Sequence, residues 1–438
     1  MNIVEALSNG PRTSKEIQAL TGMSQASVSR VARTESTIVR MPGPAPYRYA
    51  ATKTAFDAGQ AIPIATIDAN GKTLPRAVLR PLMPKGYLIG LLAGSSHLLL
   101  GENEDGFFDG VPYFLEDARP QGFLGKMLAR RLAEQSDDFT ADPDKWTEEQ
   151  FGRYLISNGD DLPGDYIFGA PMLNRVRNIP QVQNREHYAQ IATNTMAGFV
   201  GGTSAGGEQP KFTAFISDTA SHVIVKFSPA QDDLTAARWR DILVTEFHAL
   251  NVLSEFGFTA AQTQLFDQQG RYFLESKRFD RIGTNGRSSM LSLRTIDAEL
   301  TGVGGDWSEV AEALHKLKLV SFFDWKKISA LEQFGGLINN TDMHLGNLSL
   351  SIDGDRFSLL PVYDMCSMGF SPKGTEVADL AFKALERILE SQSFESNVLN
   401  AAIEFWQRVA RDERTSAELR NYVVESRIGD RISQRLKN

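Results

Sequence analysis

INNTDMHLGNLSL, residues 338–350, sets Asp342 and Asn347 five positions apart in a short polar run between apolar flanks. This is the D-x-x-x-x-N spacing in which a carboxylate orients an attacking hydroxyl while an amide oxygen ligates magnesium. Both side chains offer the hard oxygen donors that a small divalent cation and its phosphates require. Fourteen residues beyond this stretch, SLLPVYDMCS brings Asp364 to the end of a strand-like run, where a second metal carboxylate would stand. Singly, Asp342 could cap a helix, Asn347 fill a turn and Asp364 close a strand. Their order along one chain argues for a shared site. His344 lies between the first two. Metal ligation by it would need His or Cys neighbours that the stretch lacks, so it reads as a structural residue bordering a nucleotide site.

Upstream, GGTSAGGEQPK (201–211) has four glycines in its first seven positions. Glycine reaches positive φ and lets backbone amides approach an anion, so this loop can curl over phosphates. FTAFIS and HVIVKFS (222–228) alternate around a DTAS turn and read as a hairpin that puts Lys226 at a strand end beside the loop. A lysine after three β-branched residues resembles the strand lysine that holds ATP phosphates in protein kinases; its plain alternative is a solvent-facing lysine. The next segment, RWRDILVTEFHALNVLSEFG (238–257), repeats Ile242, Leu243, Phe247, Leu250 and Leu253 at helical spacing. Glu246 sits beside that stripe, where it either turns inward to pair with Lys226 or stays solvated; the sequence leaves both open. RYFLESKRFDR (271–281) reads as a strand whose end, Ser276 to Phe279, would form a hinge offering backbone groups to an adenine edge.

The 438 residues, 42% of them apolar, are enough for two or three packed domains. The most apolar stretch, YLIGLL (87–92), is broken by AGSS, far short of the roughly 20 residues that cross a bilayer. MNIVEALSNGPRTSKE lacks the basic start and apolar core of a secretory signal, so a cytoplasmic location is expected. A single cysteine, Cys366, allows no intrachain disulfide and reads as a small core residue. The net charge of −8 opposes nucleic-acid binding by the whole surface, yet residues 1–50 carry +3 and the remainder −11. A basic module on an acidic body is the implied arrangement.

In that module, TSKEIQALTG pairs Thr13 with Glu16 as a reciprocal helix cap, with Ile17 and Leu20 as the buried face. Gly22 permits a turn, and SQASVSRVAR (24–33) starts a second helix around Val28 and Val31. TIVRMPGPAPYRYAAT then offers two strands around a Pro/Gly tip. The pattern predicts a winged helix-turn-helix in which Gln25, Ser27, Ser29, Arg30 and Arg33 face a DNA groove; contact with protein is the competing use of such a module. From 60 to 150, strand-like pieces such as AIPIATIDANGKTL mix with helical GFLGKMLARRLAEQ (122–135), and DDFTADPDKWTEEQ (137–150) leads into another helix. Residues 182–198 also look helical.

Taken in order, GGTSAGGEQPK, VIVKFS, RFDR, NNTDMHLGNLSL and LLPVYDMCS resemble the signature segments of HipA-like serine/threonine kinases, the toxin component of bacterial toxin–antitoxin pairs. The resemblance spans roughly residues 60–438, with the TDxHxxN element its most specific part. HipA toxins lack the N-terminal helix-turn-helix and reach DNA through a separate HipB antitoxin, so the fusion resembles the YjjJ (HipH) branch. The resemblance implies Asp342 as catalytic base, Asn347 and Asp364 as magnesium ligands, and Lys226 as an ATP-phosphate contact. Ala205, Gly206, Gly207, Glu208, Gln209 and Lys211 would cradle the nucleotide, with Ser276, Lys277, Phe279 and His344 around it. Lys277 departs from the family, standing where HipA has a glutamate. Ser204 would be an autophosphorylation site that disfavours the ATP-closed loop. The expected fold is α+β: a bilobal protein-kinase-like body behind a winged helix (1–52), with a β-rich subdomain (53–150), a kinase N-lobe with glycine loop and hinge (151–280) and a helical C-lobe (281–438). Expected partners are ATP, magnesium, DNA, a protein substrate with a Ser or Thr acceptor, a second copy of the chain, and an antitoxin in trans unless the N-terminal module acts in cis. A DNA-binding regulator with an inactive kinase fold, a magnesium-dependent nuclease and a small-molecule kinase are the alternatives.

Overall fold

Thr13 and Glu16 satisfy each other's exposed amides as the spacing predicts: the Glu16 carboxylate accepts from Thr13 N at 2.7 Å, and Thr13 Oγ1 accepts from Glu16 N at 3.3 Å. In the computed structural model, which describes residues 1–175, 183–197, 209–373, 376–391 and 393–436, this cap opens α2 (Ser14–Thr21), after α1 (Ile3–Leu7). Gly22, at φ 71°, ends α2 in the left-handed region, and Ser24 caps α3 (Gln25–Thr34). Strands β1 (Arg12–Thr13), β2 (Ile38–Arg40) and β3 (Arg48–Ala51) form an antiparallel sheet in the order β1–β3–β2. Ile3, Leu7, Ile17, Val28, Ile38 and Ala51 make its core. Leu20, expected on the buried face with Ile17, is instead 43% exposed, because α2 is short and only one residue of its stripe reaches the sheet.

A second sheet follows, antiparallel in the order β7–β6–β5–β4–β8, from β4 (Ile62–Ile67), β5 (Thr73–Pro81), β6 (Tyr87–Leu91), β7 (Phe107–Phe108) and β8 (Tyr166–Phe168). Its edge strand β8 comes from beyond residue 150, after helices α4 (Gly122–Gln135) and α5 (Glu148–Asn158) have crossed the sheet's surface. The third sheet, β9 (Lys211–Ile216), β10 (Ser221–Phe227), β11 (Thr263–Gln268) and β12 (Arg271–Lys277), runs β11–β12–β10–β9. Its period-two pattern separates two faces. Phe212, Ala214, Val223, Val225, Phe227 and Phe273 pack on Tyr188, Ala189 and Ala192 of α6 (Tyr188–Ala197). Lys226, opposite both Lys211 and Leu274, lies on the other face, along which α7 (Leu234–Glu255) runs. The remaining lobe is mainly helical, built around α8 (Trp307–Lys316), α9 (Phe322–Leu337) and α10 (Ser396–Arg411). Among the described residues no helix is long and apolar enough to cross a membrane.

The RFDR segment after β12 joins these units through a buried charge cluster. Arg278 meets Asp161 at 3.0 Å and Asp280 at 2.9 Å, and Arg281 meets the same two at 2.7 and 2.8 Å. Gly164 N donates to Asp280 at 3.0 Å, and Arg281 donates to the carbonyls of Leu162 and Gly164. Burial alone would raise the Asp280 pKa, but Arg278 and Arg281 outweigh it and hold the carboxyl below its ordinary range. Removing one member of such a cluster strands a buried charge. Asp280→Ala is therefore expected to cost about 3–5 kcal/mol at neutral pH, measured by urea unfolding. Because the folded pKa lies below the unfolded value of about 4, the stabilisation is complete above that pH and fades as pH falls through the folded value. The gap between wild type and variant should thus narrow in acid.

Candidate active site

The face of β10 that carries Lys226 is apolar enough to bury an ammonium, so that charge needs partners at once. It has two. Lys226 Nζ lies 2.6 Å from both carboxylate oxygens of Glu246, reaching in from α7, and 2.6 Å from Asp364 Oδ1. Glu246 therefore takes the inward orientation that the sequence had left open. Only Asp364 is open to solvent: its side chain is 34% exposed, against 7% for Lys226 and 2% for Glu246. Burial would discharge Lys226, but Asp364 and Glu246 reverse this and raise its pKa. For Glu246, burial raises the pKa more than Lys226 lowers it. For Asp364 the attraction of Lys226, then of Lys211, overcomes burial and lowers it. A cation held permanently charged and a carboxylate held ionised thus sit at the floor of one cleft.

Asp364 itself is at φ 54°, a left-handed conformation uncommon for a non-glycine residue. Across from it, α9 ends at Leu337 and the chain turns through Asn339, also left-handed at φ 60°. Asn340 Oδ1 accepts from Asp342 N at 3.1 Å, an Asx turn that sets the loop's direction. Asn347 Nδ2 donates to the Asp342 carbonyl at 2.7 Å, which turns the amide oxygen the other way. His344 Nδ1 accepts from Gly346 N at 3.0 Å, its carbonyl takes the Trp307 indole proton at 3.0 Å, and its Nε2 stands 4.0 Å from Asp342 Oδ1. Tyr363 donates to the Gly346 carbonyl at 3.1 Å, tying the loop to the segment before Asp364. The Asp342 carboxylate is half exposed.

Two residues without a part in the expected site couple these loops. Asn340 Nδ2 lies 3.5 Å from Met365 Sδ, so one side chain touches both the Asp342 loop and the Asp364 segment. Gly335 leaves room for Met343: a Cβ there would overlap its sulfur. The sequence signal for Asn340 is its place two positions before Asp342, the Asx-turn offset. Met365 carries no such signal.

Gln209 is buried, and its Nε2 has no partner among the described residues. Ser204, Ala205, Gly206, Gly207 and Glu208 lie outside the described residues. Ser276 and Lys277 are still in β12, paired with Ile224 and Val223, and the turn begins at Arg278. The amides of Lys277 and Arg278 already donate to Gln262 and His222 at 2.9 Å, so neither is free for an adenine edge, contrary to the expected use of the hinge. Phe279 stacks near Tyr363, with ring centroids 5.7 Å apart. Cys366 is buried, and burial followed by the Glu246 charge raises its thiol pKa well above normal, which suits a core residue.

At the N-terminus, α2, α3 and the β2–β3 hairpin enclose a groove of about 670 Å³ lined by Gln25, Ser29 and Arg33 with Lys15, Arg40 and Tyr47. Arg40 lies over the Tyr47 ring, 4.4 Å from its centroid. Arg30 and Ser27, expected to face the same way, do not line it. Ser27 instead meets Ser24 at the helix cap, 3.0 Å between hydroxyls.

Residues 58–177 match the middle domain of YjjJ-like toxins, and residues 203–428 match the HipA-like C-terminal domain. The chain is 33% identical to Toxin YjjJ of Escherichia coli (strain K12), over 97% of its own length and 96% of that protein. Among solved structures, it resembles a chain of the Shewanella oneidensis MR-1 HipA–HipB–operator DNA complex, with TM-score 0.50 and 13% identity, over 86% of this chain and 95% of that one. The shared architecture is the HipA kinase-like fold.

If Asn340 holds the two loops in register, Asn340→Ala should destabilise the protein by about 1–3 kcal/mol, since the part-buried Asp342 amide loses its acceptor. Amide hydrogen exchange should quicken at both Asp342 and Met365. Exchange that changes at neither position would contradict the coupling.

Proposed function

The chain belongs to the HipA-like toxins, in their YjjJ-like branch, and from that membership we propose that it is an ATP- and magnesium-dependent serine/threonine protein kinase carrying a DNA-binding module. The observation that carries this reading is the Lys226–Glu246–Asp364 contact, with Asp342 and Asn347 on the loop alongside. Its donor set fits the expected ligands. Lys226 and Lys211 are cations on one sheet face, Gln209 offers an unpartnered buried amide, and Asp364 and Asn347 supply hard oxygens. Among the described residues no three His, Cys, Asp or Glu side chains gather into a ready metal cage. Magnesium does not require one, since it is commonly held by one or two carboxylates together with substrate phosphates.

When bound, Mg-ATP supplies the transferable γ-phosphoryl group. The chain's own residues then position and neutralise charge. Glu246 keeps the Lys226 ammonium fixed and protonated for phosphate contact. Asp364, ionised at neutral pH and partly open, is the carboxylate that would hold the ion, together with the Asn347 amide oxygen. Asp342 orients a Ser or Thr hydroxyl and accepts its proton. Ser204, on the glycine loop, is the autophosphorylation site of this reading. Residues 1–52 bind DNA through the groove between α3 and the wing, with Gln25, Ser29 and Arg33 on the helix side and Arg40 on the other. The neighbour from Shewanella was solved with HipB and operator DNA; here the fused module takes up operator contact in cis. A cytoplasmic protein substrate and a dimer on paired half-sites complete the proposal.

Mass spectrometry after incubation with Mg-ATP tests the catalytic half. Phosphate should appear on the wild type, and Asp342→Ala should lower its rate by about 10²–10⁴-fold. Equal labelling of both proteins would refute the assignment of Asp342. Fluorescence anisotropy with duplex DNA tests the other half. Replacing Arg33 and Arg40 with alanine should weaken binding and flatten the log–log salt slope by roughly 0.9 for each phosphate that is no longer neutralised. Unchanged, salt-insensitive binding would overturn it.

A further inference from the structure

On a chain with net charge −8, the segment HKLKLVSFFDWKK (315–327), from the end of α8 into the first turn of α9, forms a locally positive aromatic surface. Phe323 is 76% exposed, Leu317 54% and Phe322 49%. The Phe322 ring meets His315, Phe323 and Trp325 at centroid distances of 5.9, 6.0 and 5.7 Å. Lys326 Nζ sits 4.2 Å above the Trp325 ring, and His315 stacks on that ring at 5.2 Å. Lys318, Lys326 and Lys327 stand exposed around these rings. Lys316 is paired with Glu312 at 2.8 Å, and Asp324 is the other acidic group nearby. These four lysines and two carboxylates leave the surface at +2.

We propose that this surface docks a short acidic segment of a partner protein, with one apolar side chain set against Phe323 and Leu317 and its carboxylates on Lys318, Lys326 and Lys327. The charge and ring arrangement select that occupant. A single-stranded nucleic acid needs successive open ring faces for its bases. Here the Trp325 ring is already stacked by His315 and Lys326, and Phe322 is hemmed by three rings. An extended polyanion or an anionic membrane would also meet the acidic remainder of the chain, whereas a short segment meets only the +2 island. Separation from the cleft fits docking too. The 16 residues of α9 place its first turn about 24 Å, at 1.5 Å per residue, from the loop bearing Asp342, so an occupant leaves the cleft open. None of this depends on the phosphotransfer reading.

The test uses the full chain and a short fluorescein-labelled peptide of glutamates around a central Phe-Leu pair, followed by anisotropy. Wild type should bind it in a salt-sensitive way. Phe323→Ser and the double variant Lys326→Glu, Lys327→Glu should each weaken binding by about tenfold or more, as loss of an interface anchor does. Their melting temperatures should stay unchanged, since these side chains are exposed. A peptide with Ser-Ser in place of Phe-Leu should bind at least as poorly as the variants do. No binding by wild type, equal binding by the variants, or indifference to the Phe-Leu pair would overturn the proposal. So would patch-dependent binding of oligo-dT or of phosphatidylserine vesicles in preference to the peptide.

Discussion

One buried ammonium organises this protein. Lys226 lies in a sheet whose neighbouring strands are otherwise apolar, and a lone charge there would lose its proton rather than its place. The Glu246 and Asp364 carboxylates prevent that, and each comes from a different part of the chain. The three residues therefore fix α7 against the sheet and the Asp364 segment against both. Because Glu246 is almost fully buried and Asp364 is not, the pair divides labour: one carboxylate holds the lysine, and the other faces the opening.

The rest of the cleft depends on that anchoring through short links. Tyr363, next to Asp364, reaches the Gly346 carbonyl, while Met365 on the other side touches Asn340, which directs the Asp342 amide. A displacement of the Asp364 segment is thus transmitted to the Asp342 loop. Farther out, Arg278 and Arg281 bind Asp161 from the preceding domain, so the turn after β12 is held from outside the lobe it belongs to. The middle domain in this arrangement acts as a brace for the cleft.

Local chemistry was legible in the sequence, and long-range pairing was not. The Asp342–Asn347 spacing, the hairpin ending at Lys226 and the Thr13–Glu16 cap all concern residues close in the chain, where stereochemistry leaves few alternatives. The orientation of Glu246 was undetermined because α7 is buried on several sides, with Arg238, Asp241 and His248 inside as well, so an apolar stripe does not identify its inward polar residue. The partnership of Asp161 with RFDR spans more than a hundred residues and leaves no periodic trace. The hinge reading failed at Lys277 and Arg278 for a related reason: which amides a strand end leaves open depends on partners such as Gln262 and His222. Ser27 was misplaced because helical spacing does not reveal that a hydroxyl is already engaged at a cap.

The account stands on Lys226 and Asp364 forming the two poles of a phosphate and metal clamp. Calorimetric titration of Mg-ATP into the full-length wild type, Lys226→Met and Asp364→Asn proteins, repeated with EDTA, addresses this most directly. The account predicts binding by wild type that weakens by about tenfold or more in either variant, each unit of 1.4 kcal/mol being one decade, with the effect of Asp364→Asn vanishing when magnesium is removed. Binding of equal strength in all three proteins, indifferent to magnesium, would contradict it.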